Sequence, residues 1–372
     1  MVLSRSPAIS KWNTLLLLIC FSLLAGAADV SGVNADLRSF LTDPVRAWAA
    51  NTTISFPSST EFFDATERWT IFRSPTYRAA ISPGTEEDVI KAVKLATSLK
   101  IPFLVTGHHH EYTTTLGNLR NGIAIDLSHF IFIELDVAAE TVTIGPGVTA
   151  GDVFDPLYEA GFEIQTGSAS CPALIGVTLG GGLGRFTGVH GLLLDALVSV
   201  RLITADGKLR EVLKNKHPDL LWAIRGAGAN FGVVTSATYK LSPLRNNGDI
   251  LNADFIFPAE KSSGYFRALE ALERFNRIYY APGRNPNMIW NKGDNVTAQA
   301  ASALGRELRD DLRFTSGYSE PSVFINYARG DETLERIYSR DNLPRLASLK
   351  KKWDPNHVFS FNNIFPTEYP AN

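Results

Sequence analysis

Ile101-Pro102-Phe103-Leu104-Val105-Thr106-Gly107-His108-His109-His110-Glu111-Tyr112-Thr113 is the stretch on which the fold turns. Its first half is an apolar run ending in Val105, and its second half holds three of the chain's seven histidines. A buried strand therefore delivers a chemically loaded loop. Upstream, Thr85 followed by Asp88 reads as a capping box, and Val89, Val93, Ala96 and Leu99 recur at helical spacing, which predicts an amphipathic helix over 86–99. Downstream, Gly122-Ile123-Ala124-Ile125-Asp126-Leu127 is a second strand. An opening of this βαβ kind usually implies a phosphate-binding loop after the first strand.

Working outward, 141–144 reads as a strand, 152–160 as a helix, and 197–204 with 209–212 as a hairpin turned by Asp206-Gly207. A helix over 218–225 and a long strand over 231–241 follow, and an α+β domain should end near residue 243. Beyond it the pattern predicts a strand at 249–257, a helix at 261–279, an irregular junction over 281–295, a charged helix at 298–312, a strand at 323–327 and a last helix over 331–351. Residues 28–72 read as an irregular arm with one short helix around 35–41. Before it, Arg5 and Lys11 precede the apolar run Leu15–Ala28, which ends in Ala25-Gly26-Ala27; this is the pattern of a secretory signal peptide, too short to span a bilayer. The expectation is a soluble, exported chain after cleavage at Ala27. Two sequons, Asn51-Thr52-Thr53 and Asn295-Val296-Thr297, agree with export. Cys20 leaves with the leader, so only Cys171 remains and no intramolecular disulfide is possible.

Composition narrows the function classes. With 36 Lys+Arg against 38 Asp+Glu, 45% hydrophobic and 20% charged residues, the chain is globular and has no basic footprint for nucleic acid. Glycine crowds residues 176–191 as Gly176, Gly180, Gly181, Gly182, Gly184, Gly188 and Gly191. Such a run either lets backbone N–H groups approach a phosphate or simply makes sharp turns in a packed sheet. The dinucleotide fingerprint G-x-G-x-x-G fails at Arg185, which argues against a Rossmann NAD site. The three adjacent histidines admit a metal site, a cofactor attachment point or a solvent-facing loop. On an extended backbone His108 and His110 share a face and His109 does not, and no partner set lies at zinc-site spacing, so metal is disfavoured.

Five ordered motifs resemble one family: Thr106–Tyr112, Gly122–Leu127, Thr178-Leu179-Gly180-Gly181-Gly182-Leu183-Gly184, Asp219–Gly226, and Asn230-Phe231-Gly232-Val233-Val234-Thr235. Together they resemble secreted, fungal-looking FAD-linked oxidoreductases of the berberine-bridge-enzyme-like group, closely over 70–245 and again over 290–368. The resemblance implies an α+β, PCMH-type (vanillyl-alcohol-oxidase-like) FAD-binding domain of two subdomains at 73–243. It further implies a shortened α+β substrate domain at 244–325 and a C-terminal segment, 326–372, returning to the FAD domain. It implies FAD bound by Thr106, Gly107, His108, His109, His110 and Tyr112, by Gly167, Ser168, Gly176, Thr178 and the glycines 180–182, and by Gly232, Val234 and Asn326. His110 falls where the family bonds the flavin 8α carbon. His108 and His109 replace family glycines, which strains the loop if those positions need positive φ. The family's second, cysteine tether falls on Ala169, and Cys171, two residues later, resembles a packed or solvent-shielded thiol. Phe324-Ile325-Asn326-Tyr327 resembles the family's Y-x-N-Y strand, with Phe324 in place of the proposed acid/base tyrosine. That leaves Tyr327 and Asn326 as the implied catalytic residues. Lys350–Phe359 resembles the closing signature. A stretch of substrate-domain strands is missing at 281–291. The implied activity is two-electron oxidation of an alcohol or amine-type small molecule with O2 as acceptor, in a monomer without metal; the alternative is a truncated, non-catalytic flavin-binding remnant.

Overall fold

Why residues 77–126 fold as they do follows from their burial. Gly122–Asp126 is buried at every position, as a central parallel strand covered on both faces must be. The computed structural model describes residues 37–249 and 323–370, with the single positions 299, 303 and 306. The chain separates into Met1–Trp48 and Ala49–Asn372. In the first unit residues 37–42 are helical. A 3-10 turn, Pro44–Arg46, follows and is capped by the Asp43 carboxylate, and the Arg46 guanidinium lies 3.6 Å over the Phe40 ring.

The second unit holds a four-stranded sheet in the order β1 (Thr53–Ser55), β2 (Tyr77–Ser82), β4 (Gly122–Asp126), β3 (Phe103–Thr106). β1 is antiparallel to β2, whereas β2 and β3 both run parallel to β4. Helix α1 (Glu86–Ser98) crosses between β2 and β3. It starts where the Thr85 hydroxyl accepts the Asp88 N–H, carries Glu86, Glu87 and Asp88 in its positive first turn, and buries Val89, Ala92, Val93 and Ala96. β1 and the helix Thr60–Asp64 belong to the predicted irregular arm, so that segment is more ordered than its sequence suggests. A three-residue edge strand is too short to show a period of two.

The second sheet is antiparallel, in the order β5 (Ile133–Asp136), β6 (Thr141–Ile144), β10 (Val233–Lys240), β8 (Leu197–Ile203), β9 (Leu209–Leu213). The predicted hairpin is β8–β9, with Val200 opposite Val212 and Gly207 at φ 67° in the turn. β7 (Phe162–Glu163) pairs with β11 (Ser242–Pro243), at the predicted end of the domain. Helices α2 (Leu174–Leu179), α3 (Pro218–Ala227) and α4 (Leu343–Trp353) bury Leu174, Leu220, Ile224, Leu343 and Leu346 in the same core as Val200, Leu202 and Tyr239. The Tyr239 hydroxyl, 2.8 Å from Thr178 Oγ1, ties β10 to α2.

Three predicted elements differ. The 152–160 helix is shorter, Phe154–Glu159. Residues 323–327 are no strand: Ile325–Tyr327 is a 3-10 turn. The long last helix is two, Leu334–Tyr338 and α4, because Ser339 sits at φ 68° and Pro344 can only open a new helix. The predicted strand 249–257 beyond Asp249, the helix 261–279 and the junction 281–295 lie outside the described residues, and of the 298–312 helix only 299, 303 and 306 are described, each helical. No helix among the described residues is long and apolar enough to cross a membrane. Asn51 of the first sequon is exposed, with its amide nitrogen donating to the Gly84 carbonyl at 3.1 Å.

Candidate functional site

Parallel strands present their C-terminal ends together, and that edge of an α/β sheet is where ligand loops gather. Thr106 and Asp126, the last residues of β3 and β4, are register partners, and the histidine loop leaves from this edge. Gly107 is pressed against its surroundings: a Cβ there would lie 2.4 Å from the Pro146 carbonyl oxygen and 3.0 Å from the Ala173 Cβ. The loop is thereby brought against the segment that leads into α2.

The three imidazoles have different fates. His108 Nε2 is 2.7 Å from the Gly147 carbonyl oxygen. His109 takes the left-handed conformation, φ 53°, so the backbone here is not the extended one on which His108 and His110 would share a face. Of the two histidines in family glycine positions, only His109 needs positive φ, at a cost of about 1–2 kcal/mol for a non-glycine residue. Its Nε2 is sealed from solvent without a hydrogen-bond partner, 3.6 Å from Asp126 Oδ1. At that distance burial governs both groups. It holds the His109 imidazole down at about 4, helped by the charges of Arg68, His108 and His110. It also pushes the Asp126 carboxyl up, against the hydrogen bonds from Ser128 and Ser82. These are two desolvated neighbours rather than an ion pair. The His110 ring stacks on Trp69 with centroids 5.9 Å apart and 29° between planes. Burial, then His108 and Arg68, hold the His110 imidazole below its ordinary value. Among the described residues neither ring nitrogen of His110 is bonded or sealed. Among them, too, no three His, Cys, Asp or Glu side chains are placed to hold a metal.

Beyond His110 the loop is tied to the C-terminal segment. Asn362 Nδ2 donates to Glu111 Oε2 at 2.8 Å, the Thr114 N–H to the Arg329 carbonyl at 2.7 Å, and the Thr115 hydroxyl to the Phe361 carbonyl at 2.8 Å. Tyr112 is half-buried.

The glycine-rich segment is packed differently from a phosphate cradle. The N–H groups of Gly180 and Gly181 go to the carbonyls of Val177 and Thr178, and that of Gly182 goes to Asn326 Oδ1 at 2.9 Å. Asn326 Nδ2 in turn donates to the Val177 carbonyl at 3.0 Å, so this side chain clips the 3-10 turn onto the end of α2. Gly181, at φ 121°, has the Phe324 ring 2.7 Å from where a Cβ would sit. The Phe324 and Tyr327 ring centroids are 6.0 Å apart. Thr178 is buried, its hydroxyl spent on the Leu174 carbonyl and on Tyr239. Gly232 lets β10 lie against β8, where a Cβ would meet the Ile203 carbonyl at 2.5 Å, and Val234 is buried beside it. Gly167 and Gly176, by contrast, border open space, and Ser168 is exposed. Cys171 is also exposed and free, which corrects the expectation of a packed thiol: it lies in the irregular stretch ahead of α2, where residues 168–171 are all exposed.

A flavin dinucleotide fits this loop in its donor set. Arg68 Nη1, Thr106 Oγ1 and His109 Nε2 are buried without partners around one strand edge, and the surface opens at Gly167 and Gly176. Arg68 and Trp69 were not anticipated from sequence. An arginine next to a tryptophan in a polar arm was the only signal, and contact across some forty residues has no local signature.

Comparison with known proteins agrees. A family profile described as FAD binding domain matches residues 77–213, and one described as Berberine and berberine like matches residues 323–364. The chain is 35% identical to FAD-linked oxidoreductase srdI of Neurospora crassa over 496 aligned residues, covering 95% of this chain and 99% of that one. It is 37% identical to FAD-linked oxidoreductase fogF of Aspergillus ruber, covering 96% and 99%. Solved structures with the same fold include Physcomitrella patens BBE-like 1 (TM-score 0.68, 20% identity, 86% of this chain and 98% of that one). Another is 6-hydroxy-D-nicotine oxidase of Arthrobacter nicotinovorans (TM-score 0.68, 18% identity, the same coverage). The mixed architecture is thus the PCMH-type FAD-binding fold, and a chain aligned this fully with FAD-linked oxidoreductases belongs to their berberine-bridge-like family.

Proposed function

We propose that the protein is a secreted flavoenzyme that oxidises an alcohol or amine-type small molecule with O2 as acceptor, its FAD bonded once, through His110. The observation that carries this reading is the condition of the histidines: His108 is tethered, His109 is sealed, and His110 keeps both nitrogens available at the strand edge. Bound there, FAD supplies hydride acceptance at N5 and returns the electron pair to O2 as hydrogen peroxide. The chain's own part is to hold, orient and exclude. Thr106, Gly107 and Tyr112 carry the loop, Gly167, Ser168 and Gly176 leave an open border, and Asn326 fixes Tyr327 and Phe324 beside the glycine run. The N–H groups of glycines 180–182 and the Thr178 hydroxyl are engaged within the protein, and Gly232 and Val234 pack β10 against β8, so these residues support the loop rather than offer free donors. Ala169 stands at the second attachment position and speaks for a single bond. The leader-like segment 1–27 supports export, which N-terminal sequencing of protein from the medium checks, and sedimentation checks the monomer. Acid precipitation tests the attachment: the pellet should be yellow for the wild type and colourless for His110→Ala. A colourless wild-type pellet from yellow native protein would refute the bond.

A second reading has its own observation. The alignment with the Neurospora relative is 496 residues long against 372 in this chain, so more than a hundred of the relative's residues have no counterpart here. Under that reading FAD is bound but turnover is poor.

A further inference from the structure

We propose that Arg68 and Trp69 form a brace that sets the His110 ring for bond formation with the flavin, which makes them positioning residues for cofactor attachment. The inference rests on His110 being the attachment point.

Three contacts from two adjacent residues fall on three successive residues of the loop. The Trp69 N–H donates to the His109 carbonyl at 3.3 Å, the Trp69 ring stacks on the His110 ring, and Arg68 Nη2 donates to the Glu111 carbonyl. Arg68 is 8% exposed and has Nη1 buried without a partner. An apolar residue would fill this space without leaving a sealed donor, so packing alone does not call for a guanidinium.

The chemistry asks for what the brace provides. The new C–N bond replaces one C–H bond of the 8α carbon and the N–H bond of the imidazole, and the two protons and two electrons released, the electrons by way of the flavin, end on O2 as hydrogen peroxide. Only a neutral imidazole has the lone pair for this step, and only one ring orientation presents it. Stacking on Trp69 restricts the ring before the reactants meet. The charged and titratable groups facing His110 are Arg68 from the segment before β2 and His108 and His109 of its own loop, with Asp126 behind His109. Of these, His108 and Arg68 favour the neutral ring.

The test measures attachment itself. Flavin-depleted full-length protein is mixed with FAD at pH 6, 7 and 8, and the fraction of flavin retained in acid precipitate is followed over time. Trp69→Ala should slow attachment about tenfold or more, and Trp69→Phe should restore most of the rate. Arg68→Gln should slow it more at pH 6 than at pH 8, because removing the cation lets the imidazole protonate more easily. If Trp69→Ala does not fold, Trp69→Leu keeps the bulk without the aromatic face and takes its place. Wild-type rates and pH profiles in the Trp69 and Arg68 variants, beside a His110→Ala that attaches nothing, would overturn the brace. Flavin retained by His110→Ala would overturn the attachment reading instead.

Discussion

His109 shows how one side chain can carry a penalty that its neighbours make visible. The residue sits in a left-handed conformation and its ring is sealed beside Asp126, with protonation pushed from 6.5 down to about 4. The folded state therefore binds this proton more weakly than the unfolded chain does. Stability from the group is fully present above about pH 6.5 and is lost as the pH falls toward 4, amounting to about 2 kcal/mol by pH 5. Asp126, raised by burial, works in the opposite direction and trims the effect. His109→Asn tolerates the same backbone and removes the titration. Urea unfolding at pH 7 and pH 5 should show a smaller loss for His109→Asn than for the wild type. Equal losses would mean that the ring is solvated in solution.

At the scale of elements, the closing signature around α4 is a knot of structure rather than chemistry. Lys350 is fully buried, and its ammonium donates to the Asn230 carbonyl at 2.7 Å, Asp354 Oδ2 at 2.6 Å and the Phe359 carbonyl at 2.7 Å. Asp354 in turn accepts the N–H groups of Val358 at 2.7 Å and Phe359 at 3.0 Å. One pair thus joins the turn before β10, the end of α4 and the tail. A buried pair of this kind contributes little net energy as a pair, yet removing one partner strands the other. Lys350→Met should lower unfolding free energy by about 3–5 kcal/mol in a denaturant titration. Lys351→Met, next in sequence but paired on the surface with Glu368, should shift the midpoint far less. Comparable shifts for the two would show that the buried ammonium is dispensable.

At the scale of the whole molecule, the decisive quantity is length. More than a hundred residues of the Neurospora relative lack a counterpart here, about the size of a small domain. The family resemblance assigns such a stretch to the wall over the flavin, where water is excluded and a substrate oriented. Asn326 and Tyr327 cannot supply an enclosure by themselves, because Asn326 already spends both ends of its amide on Gly182 and Val177. The second reading, in which FAD is bound but turnover is poor, predicts little peroxide release from the chain across alcohols, sugars and amines, and a marked gain when the relative's stretch is inserted. Turnover equal to that of the lengthened version would establish that the short substrate domain suffices.

What the sequence determined by itself is what depends on near neighbours. The capped helix read over 86–99 and found at 86–98, the strands read over 101–106, 122–127 and 141–144 and found at 103–106, 122–126 and 141–144, and the Asp206-Gly207 hairpin are written in periodicity and turn chemistry. The ordered motifs place the FAD loop with them. Tertiary structure decided everything that joins distant segments. It inserted β4 between β2 and β3, recruited β1 from the arm, folded Ile325–Tyr327 into a turn where a strand was expected, and spent the Gly182 amide on Asn326. It also separated three adjacent and chemically identical imidazoles. His108 met a carbonyl, His109 a carboxyl and His110 an indole, each from a different part of the chain. The side chains are the same; the difference lies in desolvation and partners, which exist only once the chain has closed on itself.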